Sequence, residues 1–160
     1  MNKSTKGFSL IELLIVVAII LIIAAIAIPN LLRSRIAANQ ASAVGSLRTL
    51  NTAEITYSST YNTGFTAAMG YLAPNGTSPT PASTAAGLID SILAGGNKSG
   101  YSFTYSPGAS DSTGRINMYS FTAVPITTST GTNYYYTDQS GVIRQNSTTT
   151  AASTDSPIAG

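Results

Sequence analysis

The side chains able to move protons or hold metals are few and scattered. The acids are Glu12, Glu54, Asp90, Asp111, Asp138 and Asp155. No two stand at the spacing of a paired-carboxylate site, and none falls into an EF-hand pattern. With no His and no Cys there is no imidazole base, no thiol nucleophile and no typical zinc set. No phosphate-cradling glycine motif is present. The chain therefore reads as not an enzyme, with no cofactor and no metal. Nine Tyr and four Phe invite a stacking or electron-conduit reading. In a domain without Trp and with few large aliphatics, they read instead as core. Asn75-Gly76-Thr77, Asn97-Lys98-Ser99 and Asn146-Ser147-Thr148 fit the glycosylation sequon, but chance matches are common in so Ser/Thr-rich a chain.

Among the acids, Glu12 is set apart by its surroundings. It lies within residues 8–30, an almost purely aliphatic stretch closed by Pro29. That stretch is too long for a strand. As a helix it spans about 30 Å, the thickness of a bilayer's hydrocarbon core. In lipid, helix is also the one way such a segment can satisfy its own backbone. A carboxylate there costs about 3 kcal/mol on insertion scales, whereas the twelve Leu, Ile and Val of residues 13–28 return about 4–7 kcal/mol. Insertion survives the acid, so Glu12 either serves a function with a partner or snorkels to the headgroups. Two rival readings exist. A secretory signal would use Lys3 and Lys6 as its basic region and cut at Ala25-Ile26-Ala27, but the run is long for one and carries an acid. An uncleaved anchor is the other, and the charges scarcely orient it, with Lys3 and Lys6 on one side and Arg33 and Arg35 on the other.

The sequence Lys6-Gly7-Phe8-Ser9-Leu10-Ile11-Glu12, the apolar run behind it, and Ala27-Ile28-Pro29-Asn30 together resemble the N-terminus of a type IV pilin precursor. The resemblance covers the first 30 to 35 residues and is specific, because leader, Gly-Phe junction, acid offset and proline offset all agree. It implies a leader over residues 1–7 cleaved after Gly7 by a prepilin peptidase. It implies N-methylation of Phe8, neutralisation of that terminus by Glu12, and a helix-kinking role for Pro29. One departure is the absence of glycine between Gly7 and Gly45, so unwinding of the helix during assembly would rest on Pro29 alone.

The remaining chain must position and carry that segment. Ile36, Ala43, Leu47, Leu50 and Tyr57 recur as one helical stripe, so residues 31–58 read as the amphipathic half of the same helix, bent but not ended at Pro29. Arg33, Arg35, Asn39, Gln40, Arg48 and Asn51 are placed on its other faces, the arginines as solvated charges and not as a nucleic-acid patch. Residues 59–99 read as a loop, broken by Gly64, Gly70, Pro74, Gly76, Pro79 and Pro81. The loop holds a short helix at about 84–94, capped by Ser83 or Thr84, with Leu88, Ile89, Ile92 and Leu93 as its apolar stripe. From 100 to 146 the period becomes two: Tyr101, Phe103 and Tyr105, then Tyr119, Phe121 and Ala123, then residues 134–137 and 142–144 about a turn at Asp138-Gln139-Ser140-Gly141. Three to four antiparallel strands result, covered by the helix. Residues 147–160 read as an irregular surface segment. The expected class is α+β, a long N-terminal helix against a small antiparallel sheet, the order of elements in the type IV pilin fold.

Eight basic against six acidic side chains make the chain formally +2, but Lys3 and Lys6 lie in the leader, so cleavage leaves a neutral chain. The basic balance is no argument for nucleic acid. Without cysteine the C-terminal region must hold by packing alone, where many pilins use a disulfide. The function expected from the resemblance is a homopolymeric surface filament subunit, held in the inner membrane as a precursor and handled by prepilin peptidase and the assembly machinery. A type II secretion pseudopilin and a low-copy minor pilin or adhesin are the alternatives. Major pseudopilins typically carry an acidic C-terminal calcium loop, whereas the last thirty residues here hold only Asp138 and Asp155. Adhesion, twitching motility and DNA uptake are not distinguished by any residue.

Overall fold

The computed structural model describes residues 7–76 and 80–158. The chain divides into two bodies, residues 1–35 and 36–160. A single helix, α1 (Leu10–Tyr61), contributes to both.

In the first body α1 is a bare apolar rod. Leu10, Leu21, Ile22 and Ile26 are each more than 60% exposed. The helix is long and apolar enough to cross a membrane, and none of its most apolar window is buried. Its Val and Ile content is unfavourable for a helix in water, so the segment suits an apolar solvent or a neighbouring helix. Pro29 lies inside α1 and does not end it.

In the second body a five-stranded antiparallel meander packs against residues 43–57 of α1. The strands are β1 (Asn97–Lys98), β2 (Tyr101–Pro107), β3 (Tyr119–Pro125), β4 (Tyr134–Asp138) and β5 (Arg144–Asn146), paired in chain order. Register sets Phe103 opposite Ala123 and Tyr105 opposite Phe121. The pleat then sends Tyr101 and Phe103, Tyr119, Phe121 and Ala123, and Tyr135 to one face, where they meet Ala43, Leu47, Leu50, Ala53 and Tyr57. Aromatic pairs fill the space between: Phe65 stands edge-on to Tyr119 with centroids 4.6 Å apart, and Tyr105 lies 4.8 Å from Phe121.

Several sequence expectations are corrected here. The short helix is α2 (Ser91–Ala94), one turn, and not residues 84–94. Its N-cap is Asp90, whose side chain accepts from the Leu93 N–H, and not Ser83 or Thr84. Residues 86–89 instead donate to carbonyls of Tyr71, Leu72 and Ala73, at the 3-10 turn Met69–Leu72 and just past it, while Ala85 pairs with Ala82, so their backbone is spent outside any helix. Ile92 is exposed while Leu93 is buried. The sheet has five strands, beginning at Asn97, and its last strand starts at Arg144, not Val142. Asn51 is buried against the sheet and does not face solvent.

Both sheet edges are short. β1 has two residues and carries Lys98. The outer side of β5 is covered by the chain's own tail: Gln145 N–H donates to the Ser156 carbonyl, and Ile158 N–H to that of Ile143. Residues 147–158 form no strand, but Ala151 is buried and Ile158 packs on the core.

Candidate functional site

The residues that could carry processing and assembly gather at the start of α1. Residues 7–9 are outside regular structure and the helix begins at Leu10. Ser9 N–H donates to Glu12 Oε2 at 2.9 Å, and the Ser9 carbonyl accepts from Leu13 N–H at 3.2 Å. Ser9 thus caps the helix, with Glu12 reaching back to the cap from the third helical position. A carboxylate here also faces the positive end of the helix dipole. The sequence reading missed this second use of Glu12, although Ser-x-x-Glu before an apolar run is its signature.

Phe8 is 77% exposed. A side chain added at Gly7 would meet nothing within 4 Å. No described residue therefore requires glycine at position 7, and a requirement for it would come from whatever binds the proposed junction. The structure brings Gly7, Phe8 and Glu12 to one end of the helix. Pro29 lies about five turns further on, where its ring leaves the Ala25 carbonyl without the usual helical donor. Residues 1–6 of the expected leader, including Lys3 and Lys6, lie outside the described residues.

The other described acids are all engaged within the second body. Asp90 binds Lys98 at 2.9 Å, which holds its carboxyl below the usual range together with the Leu93 N–H. Asp111 accepts from Thr113, Arg115 and Asn117, Thr113 contributing most, and its carboxyl is likewise lowered. Asp138 accepts from Ser140 N–H across the turn into β5. Asp155 accepts from Asn146 and Ala152. The Asn146 amide is thereby committed on both sides, its oxygen accepting from Thr148 and Thr149, which disfavours it as a glycosylation acceptor. Of the other sequons, Thr77 lies outside the described residues.

Glu54 is the unusual one. It is fully buried, with no cation paired to it among the described residues. Thr66 donates to it twice, by N–H to Oε2 at 2.9 Å and by hydroxyl to Oε1 at 2.6 Å, and Tyr105 donates to the Thr66 carbonyl. Desolvation pushes the Glu54 carboxyl up, against the lowering by Thr66. Asn51 forms a second buried node, donating to Thr137 Oγ1 at 2.8 Å and accepting from the Tyr119 hydroxyl at 3.1 Å. Both groups tie α1 to the loop and sheet, and neither opens onto a cleft with a second reactive group.

Comparison with known proteins concerns the same N-terminal end. The prokaryotic N-terminal methylation motif matches residues 2–28. Over 53 residues the chain is 51% identical to the type IV major pilin protein PilA of Myxococcus xanthus, a match covering 33% of this chain and 24% of that one. Over 37 residues it is 65% identical to the type IV wide pilus major component PilA4 of Thermus thermophilus, covering 23% of this chain and 28% of that one. The chain thus spans about a quarter of the length of these curated relatives. No solved structure matches at a significant level. Motif and relatives together support a type IV pilin.

Proposed function

We propose that the chain is the structural subunit of a type IV pilus, inserted in the inner membrane as a precursor, cut after Gly7, methylated on Phe8 and polymerised through α1 into a surface filament. The observation that carries this reading is the rod itself: an apolar helix left bare along its length, with one acid at the end where the junction lies. Cleavage would create a cationic amine on Phe8 at a helix end that already carries about half a positive charge. Buried among apolar helices, that amine needs a carboxylate, and Glu12 is the acid of the rod. It lies four residues on, within reach of its own terminus. A neighbour displaced along the filament could present its own Phe8 instead. Contacts of this head-to-tail kind do not close on themselves and generate a helical polymer. Pro29, in a helix with no glycine before Gly45, is the point at which it could loosen during assembly.

The test is electron microscopy with mass spectrometry of sheared surface material, for wild type and Glu12→Ala. Wild type should yield filaments dominated by this chain. Glu12→Ala should insert at least as well, having lost the insertion penalty, and be processed at Gly7, yet give few or no homopolymeric filaments. Normal filament yield would reduce Glu12 to the capping role it has beside Ser9. A chain present only in traces within filaments of another subunit would indicate a minor pilin.

A further inference from the structure

Arg33 and Arg35 follow the last apolar residue of the bare rod, Leu32, and both are exposed. Leu10 to Leu32 spans about 33 Å, close to the ~30 Å hydrocarbon core of a bilayer. A rod that fills that core places both guanidinium groups in the headgroup layer on the side away from the leader, with their stems along the apolar edge. Neither is neutralised by a described residue of the chain. The single ion pair among the described residues is Lys98–Asp90. Within the first body the described acid is Glu12, about 31 Å back along the rod.

Their spacing decides what they could bind. Residues two apart lie about 200° apart around a helix, so the two groups leave the rod in nearly opposite directions. One carboxylate, or one acidic patch on a neighbouring protein, meets one of them and misses the other. A layer of phosphates surrounding the helix meets both, and the guanidinium fork matches phosphate oxygens two at a time. Orientation is not their purpose, since Lys3 and Lys6 balance them on the opposite side.

We infer that Arg33 and Arg35 form a collar for the phosphate groups of anionic lipid, fixing the depth of the rod in the leaflet opposite the leader. This rests on the membrane-spanning part of the function above, and on neither cleavage nor polymerisation.

The test uses the full chain, carrying carbon-13 at the arginine Cζ positions, in phosphatidylcholine vesicles with and without phosphatidylglycerol. Solid-state dephasing by lipid phosphorus reads the contact directly. Dephasing is expected with phosphatidylglycerol, falling by about half in R33Q or R35Q and vanishing in R33Q/R35Q. Preference for phosphatidylglycerol over phosphatidylcholine should drop roughly fivefold for each arginine removed and about 30-fold for both, while R33K/R35K keeps most of it. An inserted rod without phosphate contact, dephasing indifferent to phosphatidylglycerol, or arginine contact with carboxylates of a second copy would each overturn the collar and leave the filament role standing. A chain that does not insert at all would overturn the collar and the membrane-spanning reading together.

Discussion

Glu54 should make the fold less stable as pH rises, the opposite of what most carboxylates do. Its carboxyl is raised from an ordinary value of 4.5 by burial, with no cation to offset the cost of ionising it. In the unfolded chain it titrates near that ordinary value. The stability it lends is therefore fully present below about pH 4.5, and is lost as pH rises through the higher folded value. Between the two values the loss runs at about 1.4 kcal/mol per pH unit. Glu54→Gln removes the titration while keeping one oxygen to accept from Thr66. The variant should equal or exceed wild type at pH 8, and the difference between the two should shrink toward zero as pH falls to 4. Glu54→Ala instead strands the Thr66 N–H and hydroxyl in a buried site, which should cost about 2–5 kcal/mol relative to Glu54→Gln at every pH. The assay is urea unfolding of a chain starting at Ile36, followed by circular dichroism from pH 4 to 8. Taking the difference between wild type and Glu54→Gln cancels the oppositely directed contributions of Asp90 and Asp111, whose lowered carboxyls favour the fold above their ordinary values. A difference that stays flat, or that grows in favour of wild type with rising pH, would show Glu54 ionised in the folded state and refute the argument.

The urea experiment itself presupposes that the second body folds alone, and the piece from Ile36 should show one cooperative transition; a gradual, non-sigmoidal curve contradicts that. Phe121→Ala, at a side chain with no exposed surface, should destabilise it by about 3–5 kcal/mol, and a loss under 0.5 kcal/mol would remove the ring from the core. Asn51→Ala should cost about 1–3 kcal/mol for each of the two buried partners it abandons, Thr137 and Tyr119, measured by the same unfolding curves. Gly7→Val should leave the second body's melting unchanged, because nothing approaches position 7, yet intact mass should show the precursor uncut where the wild-type chain starts at a methylated Phe8; a processed Gly7→Val chain contradicts the proposed junction.

What was legible in the sequence depended on whether chemistry and periodicity agreed. Leu47, Leu50 and Tyr57 are apolar at helical spacing and all are buried in the core. Asn51 and Glu54 sit four and seven residues beyond Leu47, on that same stripe; Asn51 was placed on another face and Glu54 on none, because polarity outweighed position. β1 escaped notice because two residues cannot display an alternation. The helix expected over 84–94 shrank to one turn because backbone bonds to the Met69–Leu72 turn and its neighbours, invisible in local sequence, take up residues 86–89. At the other end of the chain, the N-terminal methylation motif over residues 2–28 was legible by offset alone, since a motif there acts through linear spacing. The bond from Ser9 to Glu12 could have been read from the same four residues.

The covered outer side of β5 bears on how such a protein tolerates crowding. A membrane stocked with many copies holds the second bodies at very high local concentration, the condition under which open strands recruit one another into ribbons. Here one edge is two residues long and bears a lysine, and the other is already occupied by Ser156 and the strand-like approach of Ile158. Copies held side by side in a membrane, as the proposed function requires, would find no open strand at either edge, which leaves association to the proposed helix contacts. The Ser/Thr-rich tail is thus a built-in strand blocker, and its removal would leave the outer side of β5 open to a second strand.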